Sequence, residues 1–232
     1  MSNRLISFDT ETTGLDFKSG DRVVEIGAVE ILGRSKTGEL FQTYLNPEGK
    51  EMSEGALEIT NISNEQLKNA PKFKDVIEEF IKFVNGAELV IHNAEFDIGF
   101  INNELRLIDH EIKDIRDICT VFDTLIHARK AFPGQRNNLN ALSMRLGISG
   151  YDRTYHGALL DAQILADTYL SLTGGQVTFD LSESQSNEVK EEVIKQTDEI
   201  HFTNFKANEN DISEHNKFLD VLRKKSNKEI NW

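Results

Sequence analysis

Three strand-like segments precede the first strong helical pattern of this chain, and this order limits the folds open to it. An apolar run predicts a buried strand at Leu5–Phe8, and imperfect alternation predicts two more at Val23–Leu32 and Leu40–Leu45. The connections between them are short and contain glycine, which is typical of hairpins. The chain is therefore expected to begin with three antiparallel strands.

Helical and strand-like segments alternate in the rest of the first 175 residues. A helical signal starts at Ser53, and Phe73–Val84 carries apolar residues at helical spacing. Further strands are predicted at Leu89–Ile91 and, more weakly, Ile115–Cys119, and further helices at Glu95–Leu107, Val121–Ala131, Leu139–Leu146 and Gly157–Leu172. This order predicts an α/β fold in which helices flank a mixed sheet of five strands.

Composition excludes several classes of protein. The 26 Lys and Arg residues against 39 Asp and Glu give a net charge of −13, which argues against binding nucleic acid through a broad basic surface. The sequence has no apolar run long enough to span a membrane and no secretion leader. Cys119 is the single cysteine, so a reducing cytoplasm is the expected compartment. Any phosphate chemistry would need metal cations.

Four acidic residues stand at predicted ends of strands or helices. Asp9 and Glu11 are two residues apart after the first strand, so both carboxylates point to the same side of the sheet. Asp97 falls in the first turn of a predicted helix, where the helix dipole alone would favour an acid. Asp161 lies in an apolar helical stripe with no Lys or Arg between His156 and Leu172, so it needs a metal or a hydrogen bond from elsewhere in the fold.

Together these acids predict a metal-dependent enzyme. Ligands that are all oxygen suit Mg²⁺ or Mn²⁺ rather than zinc. Two such ions about 3.5 to 4 Å apart can stabilise the attacking and leaving oxygens of a phosphodiester displacement. Histidine titrates near neutrality, so His156, five residues before Asp161, is the candidate to accept a proton from the attacking water. Taken singly, Asp9, Glu11, Asp97 and His156 would be interpreted as surface or capping groups. Asp161 is the exception, because an acid in an apolar stripe needs a partner.

Three motifs resemble those of the DEDDh family of exonucleases: Phe8–Gly14, His92–Asp97 and His156–Ala162. The resemblance implies a ribonuclease H-like fold and removal of nucleotides from 3′ ends with two divalent cations, Mg²⁺ or Mn²⁺. The sister branch of the family has a tyrosine four residues before the last Asp. Gly157 occupies that place here, and His156 holds the five-residue offset of the histidine branch.

Carried over residue by residue, the resemblance assigns roles within the motifs. Asp9, Glu11 and Asp161 would bind the metals and the substrate, Asp97 would support the second metal partly through water, and His156 would be the general base. The positions that match contacts to the terminal nucleotides are Thr12, Gly14, Leu15, His92, Asn93 and Phe96.

The C-terminal quarter resembles that of the proofreading branch of the family, which works with replicative DNA polymerases. After an exonuclease domain at 1–175, expected to be monomeric, residues 176–181 resemble a sliding-clamp peptide with Gln176, Phe179 and Leu181 as anchors. Residues 182–206 are polar and predict a flexible linker. Residues 207–232 resemble the segment that binds the catalytic (alpha) subunit of the polymerase. A small accessory subunit is a further candidate partner.

Two departures and two alternatives accompany this hypothesis. Thr60–Ile62 stands where many relatives have His-Gly-Ile, and Asn140 replaces a common Asp; neither position is an expected metal ligand. A free-standing exonuclease acting on RNA or oligonucleotides is one alternative, although such enzymes usually lack a tail. A non-catalytic scaffold that only docks on the polymerase is the other.

Overall fold

Helices pack on both faces of a mixed sheet in the computed structural model, which describes residues 4–174. The strands are β1 (Arg4–Thr12), β2 (Val23–Leu32), β3 (Ser35–Tyr44), β4 (Glu88–Ile91) and β5 (Thr120–Asp123), in the order β3-β2-β1-β4-β5. Strands β1, β2 and β3 pair antiparallel, whereas β4 pairs parallel with both β1 and β5. The predicted five-stranded architecture is therefore confirmed.

Seven α-helices belong to the described part of the chain. They are α1 (Glu54–Thr60), α2 (Asn64–Leu67), α3 (Phe73–Val84), α4 (Ala94–Leu107), α5 (Thr124–Ala131), α6 (Leu139–Arg145) and α7 (Ala158–Thr173), with 3-10 turns at Phe17–Ser19 and Ile115–Asp117. Helix α3 has the predicted bounds, because its apolar residues repeat at helical spacing and face the core. Asn61 ends α1 in the left-handed conformation, which asparagine tolerates well.

Strand β5 and helix α5 differ from the prediction. Residues 115–119, predicted as a strand, begin with a 3-10 turn, and the strand starts only at Thr120. Helix α5 starts at Thr124 rather than Val121, because the Asp123 carboxylate accepts hydrogen bonds from the amides of Leu125 and Ile126. The side chain of Asp123 also accepts from the Ala94 amide and so fixes the start of α4. One aspartate therefore sets the first turns of two helices.

The two faces of β1 contact different layers. Ile6 and Phe8 point into the larger core with α3 and α4, where Phe8 packs against Phe80 at 5.4 Å between ring centroids. Ser7 points the other way, and its hydroxyl donates to the Ala162 carbonyl of α7 at 2.8 Å. Because side chains alternate along a strand, Asp9 and Glu11 share the α7 face with Ser7. Both lie within β1, which is longer than the predicted strand.

Helix α7 approaches β2 at Gly27, which has no side chain to hold it away. A Cβ atom built on Gly27 would lie 2.2 Å from the Ala158 carbonyl carbon and from the Leu159 amide nitrogen. Gly27 pairs with Asp9 across the sheet, so the start of α7 is pressed against the acidic part of β1. The Glu25 carboxylate accepts from the Ala158 amide at 3.0 Å and caps the helix from the sheet.

Helix α7 ends at Thr173, where the predicted glycine signal begins. Gly174 follows at φ −90°, so it ends the helix without the left-handed conformation that often makes glycine necessary there. The predicted clamp peptide (176–181), linker (182–206) and polymerase-binding segment (207–232) lie outside the described residues. Among residues 4–174, every helix is too short or too polar to cross a membrane.

Candidate active site

The predicted acids and the histidine meet in one cleft of about 270 Å³ at the edge of the sheet. Strand β1 supplies Asp9 and Glu11, the first turn of α4 supplies Asp97, and the first turn of α7 supplies Asp161. His156 lies just before α7. The residues that line the cleft are Asp9, Thr10, Glu11, His92, Phe96, Asp97, Asn138, Leu139, Asn140, Arg153, His156 and Asp161.

Three of these groups are close enough to share one cation. One ligand atom from each of Glu11, His156 and Asp161 lies within 4.8 Å of the other two. The Oε1 atom of Glu11 is buried and has no hydrogen-bond partner among residues 4–174. A buried carboxylate oxygen without a partner is costly unless a cation or a water satisfies it. The carboxylates of Glu11 and Asp161, including this unpartnered oxygen, therefore fit a divalent cation that prefers oxygen ligands.

Asp97 reaches the cleft from the α4 side and is fixed by β1. Its Oδ1 accepts from the Thr10 amide at 3.0 Å and from the Thr10 hydroxyl at 2.7 Å. Thr10 points to the α4 face, opposite to its neighbours Asp9 and Glu11. Alternation along one strand therefore lets β1 present two carboxylates and hold a third.

The electrostatics of the cleft favour an added positive charge. Burial, reinforced by the nearby charges of Asp97, Glu11 and Asp161, raises the pKa of Asp9 well above its usual range. Burial and the charge of Asp161 raise the pKa of Glu11 to about 8. Burial raises the pKa of Asp97 to about 7 although the hydrogen bonds from Thr10 oppose this. These carboxylates repel one another when ionised.

Asp161 differs from the other three because an arginine neutralises it. Arg153 Nε lies 2.6 Å from Asp161 Oδ1 and Nη2 lies 2.5 Å from Oδ2. Burial alone would raise the pKa of Asp161, but the hydrogen bonds from His156 and Arg153 lower it. The absence of Lys and Arg between His156 and Leu172 excluded a local salt bridge in the prediction from sequence, but Arg153, in the irregular segment just before α7, forms one.

His156 is placed by its backbone and remains accessible. Its amide donates to the Ile59 carbonyl at the end of α1 at 3.0 Å. The Nδ1 atom lies 3.2 Å from Asp161 Oδ2, and the side chain is 38% exposed. The imidazole therefore faces the cleft and can be reached from solvent.

Some of the residues expected to contact nucleotides line this cleft and others do not. His92 and Phe96 line it directly, and burial lowers the pKa of His92, which keeps its imidazole neutral. Thr12 donates to the Gly14 carbonyl at 2.5 Å and shapes the turn after β1. The residues that do not line the cleft are Thr12, Gly14, Leu15 and Asn93, and of these Leu15 is 86% exposed beside the turn.

Arg153 and Glu25 are the charged residues here that sequence patterns did not identify. Arg153 lies in a stretch without periodicity, so no pattern indicates its target. Glu25 interrupts the apolar run that opens β2, which was a usable signal of a buried acid with a partner. The basic residues Arg129, Lys130 and Arg136 are exposed and do not line the cleft.

Comparison with known sequences identifies the family. The exonuclease (RNase T) family model matches residues 6–169. This range contains the four acids of the cleft and its histidine: Asp9, Glu11, Asp97, His156 and Asp161. The chain belongs to this exonuclease family. Within the family it is 43% identical over 244 residues to the DNA polymerase III subunit epsilon of Haemophilus influenzae, covering 99% of this chain and 94% of that one. It is 40% identical to the DNA polymerase III subunit epsilon of Escherichia coli K12, and the match covers 96% of this chain and 94% of that one.

Solved exonuclease structures share the fold. The nuclease domain of 3′hExo, a DEDDh family member bound to rAMP, superposes with a TM-score of 0.58 at 20% identity, covering 72% of this chain and 90% of that one. Exonuclease X in complex with 5′ overhanging duplex DNA superposes with a TM-score of 0.54 at 23% identity. The match covers 74% of this chain and 90% of that one. The ribonuclease H-like architecture expected of a DEDDh exonuclease is thus present in this chain.

Proposed function

We propose that this chain is the 3′–5′ proofreading exonuclease of a replicative DNA polymerase and hydrolyses the last phosphodiester of a mispaired or single-stranded 3′ end. The observation that carries the proposal is the convergence of Asp9, Glu11, Asp97, Asp161 and His156 on one cleft. The nearly full-length similarity to epsilon subunits supports a role beside a polymerase. The released product would be a nucleoside 5′-monophosphate.

The donor set fits two divalent cations, Mg²⁺ or Mn²⁺. Asp9, Glu11 and Asp161 would hold them, and Asp97, fixed by Thr10, would support the second. When bound, such cations stabilise the charge that develops on the phosphate in the transition state. Their charge would also offset the burial and the mutual repulsion that raise the pKa of Asp9.

Other side chains of the site would accept a proton and contact the terminal nucleotide. His156 would accept the proton of the attacking water, because its ring lies at the rim of the cleft and next to Asp161. The neutral His92 and the ring of Phe96 would contact the terminal nucleotide from the opposite wall. Exposed Leu15 would pack against a base, since a large apolar side chain left in water gains most from such a contact.

A primer with a 3′ mismatch tests the activity directly. Cleavage by the full chain should require Mg²⁺ or Mn²⁺, stop with a chelator, and release 5′-monophosphates one at a time. Asp9→Asn should abolish cleavage while circular dichroism stays unchanged, because a neutral amide is a poor ligand at this position. Glu30→Gln, which changes a carboxylate on the same sheet outside the cleft, is the matched control and should retain activity.

The partners need a separate experiment. The polymerase and the clamp would supply the DNA affinity that an acidic exonuclease lacks, because tethering raises the local concentration of the primer end. Deleting residues 182–232 should abolish co-purification with the polymerase subunit and spare cleavage of free oligonucleotides. Absence of polymerase binding by the full chain would favour a free-standing exonuclease. Binding retained after the deletion would refute the tail as the docking segment, and a full chain that binds the polymerase but is inactive would favour a scaffold.

A further inference from the structure

The proposed function leaves Arg153 without a role, although this residue makes two short hydrogen bonds to Asp161 inside the cleft. Its Nε and Nη2 atoms reach both oxygens of Asp161, at 2.6 and 2.5 Å. The side chains are 13% and 4% exposed, so the pair is shielded from water. A guanidinium that binds a carboxylate through two parallel hydrogen bonds makes one of the strongest ion pairs in proteins.

The same guanidinium touches two other residues of the cleft. Nη1 donates to Asn140 Oδ1, and Nη2 lies 3.2 Å from His156 Nδ1. Arg153 is thus centred on the part of the site where Asp161 and His156 meet. Asp9 and Glu11, by contrast, make no ion pair within residues 4–174.

Arginine and a divalent cation compete for this carboxylate. The ligand atoms of Glu11, His156 and Asp161 already lie within 4.8 Å of one another, so a cation between them would lie beside the guanidinium. Two positive centres a few Å apart repel strongly in a partly buried site. Arg153 would therefore have to leave Asp161 before a cation could bind there.

The chain around Arg153 permits such a movement. Helix α6 ends at Arg145 and α7 begins at Ala158, and the residues between them form no helix or strand. Turning the arginine side chain away would break no backbone pairing of the sheet.

We propose that Arg153 is a built-in counter-cation, which holds Asp161 in the metal-free protein and is displaced when a divalent cation binds. This inference rests on the proposed metal-dependent function. In this role Arg153 is a positioning residue: it keeps Asp161 oriented and it weakens metal binding. A higher metal concentration would then be needed to occupy the site than a bare acidic cleft would require.

Metal affinity provides the test, without any need for activity. Mn²⁺ binding to the full chain is measured by the loss of the free-ion electron paramagnetic resonance signal. Removing an internal competitor should tighten binding, so Arg153→Gln should bind Mn²⁺ on the order of tenfold more tightly than wild type. Arg153→Lys, which keeps the charge but loses the two-pronged geometry, should tighten binding by a smaller factor. It also serves as the test variant if Arg153→Gln does not fold.

Arg22→Gln is the matched control. Arg22 also pairs through two bonds with a buried carboxylate, Glu104, at 2.7 Å each, and its side chain is 14% exposed. This variant loses an equivalent buried ion pair outside the cleft, so its Mn²⁺ affinity should equal that of wild type. Arg34 lies between β2 and β3 and donates to the Leu170 carbonyl near the end of α7; it is exposed and does not line the cleft. Arg34→Gln makes the same change in net charge as Arg153→Gln and should also leave the Mn²⁺ affinity unchanged.

Nuclear magnetic resonance supplies a second readout. The Nε–H resonance of Arg153, assigned by its loss in the variants, should shift when Mg²⁺ is added to the wild type. A resonance that stays in place at saturating Mg²⁺ would overturn the inference. So would equal or weaker Mn²⁺ binding by Arg153→Gln and Arg153→Lys while the wild type binds normally, and the proposed function would then stand. Absence of Mn²⁺ binding by every protein would overturn both.

Discussion

Glu11→Gln should stabilise the metal-free protein at neutral pH, although it removes a proposed catalytic ligand. Burial and the charge of Asp161 raise the pKa of Glu11 from its ordinary value of 4.5 to about 8. Between these two values the folded state keeps a proton that the unfolded state releases. The free energy of unfolding therefore falls as the pH rises through this window. The reason is that the unfolded state releases the proton, which rising pH favours, whereas the folded state keeps it.

The size of the effect follows from the pKa shift. At pH 7 the gap between 4.5 and the solution pH is 2.5 units, and each unit is worth about 1.4 kcal/mol, so folding with Glu11 costs about 3 kcal/mol. Glutamine has nearly the same shape and carries no titrating proton. The free energy of unfolding of Glu11→Gln should exceed that of wild type by about 3 kcal/mol at pH 7, and the difference should fall below about 1 kcal/mol at pH 4.5.

Urea unfolding followed by far-ultraviolet circular dichroism, with chelator present, measures both proteins at each pH. Saturating Mn²⁺ should reverse the order, because wild type gains binding free energy that the variant lacks. Glu104→Gln is the control: it also removes a buried carboxylate, but one that pairs with Arg22, so it should destabilise the protein at pH 7. Equal stabilities of wild type and Glu11→Gln at pH 7, or a difference independent of pH, would refute the reasoning.

Three further predictions concern other parts of the chain. His156→Ala should lower the rate of cleavage about 10²- to 10⁴-fold in a single-turnover assay, and an unchanged rate would reassign the general base. Thr10→Val should lower the free energy of unfolding by about 1 to 3 kcal/mol because Asp97 loses a hydrogen bond, whereas Thr10→Ser should retain it. Replacing Gln176 and Phe179 with alanine should weaken binding to the sliding clamp in a surface-binding assay and spare cleavage of free oligonucleotides; full clamp affinity would discard the motif.

Much of the site geometry followed from spacing alone. The two-residue period of a strand predicted that Asp9 and Glu11 share a side, and in the structure both face α7. The start of a helix after a short connection placed Asp97 in a first turn, as observed. Local periodicity determines such features, so the sequence is sufficient to predict them.

Features set by distant contacts could not be predicted in this way. The weak apolar segment at Ile115–Cys119 looked like a strand, but its Ile115 side chain packs into the core from a 3-10 turn. The pairing of Arg153 with Asp161 depends on how an irregular segment folds back on α7. The close approach of Gly27 to α7 depends on which helix covers the strand, and a single strand pattern does not contain that information.

The contact at Gly27 has a consequence for how this enzyme family can vary. Main chain rests on main chain there, so the separation between the acids of β1 and Asp161 of α7 is independent of side-chain size in the surrounding core. A single added methyl group at Gly27 would push the helix away from β2 and so separate Asp161 from the acids of β1, although every one of these side chains would still be present.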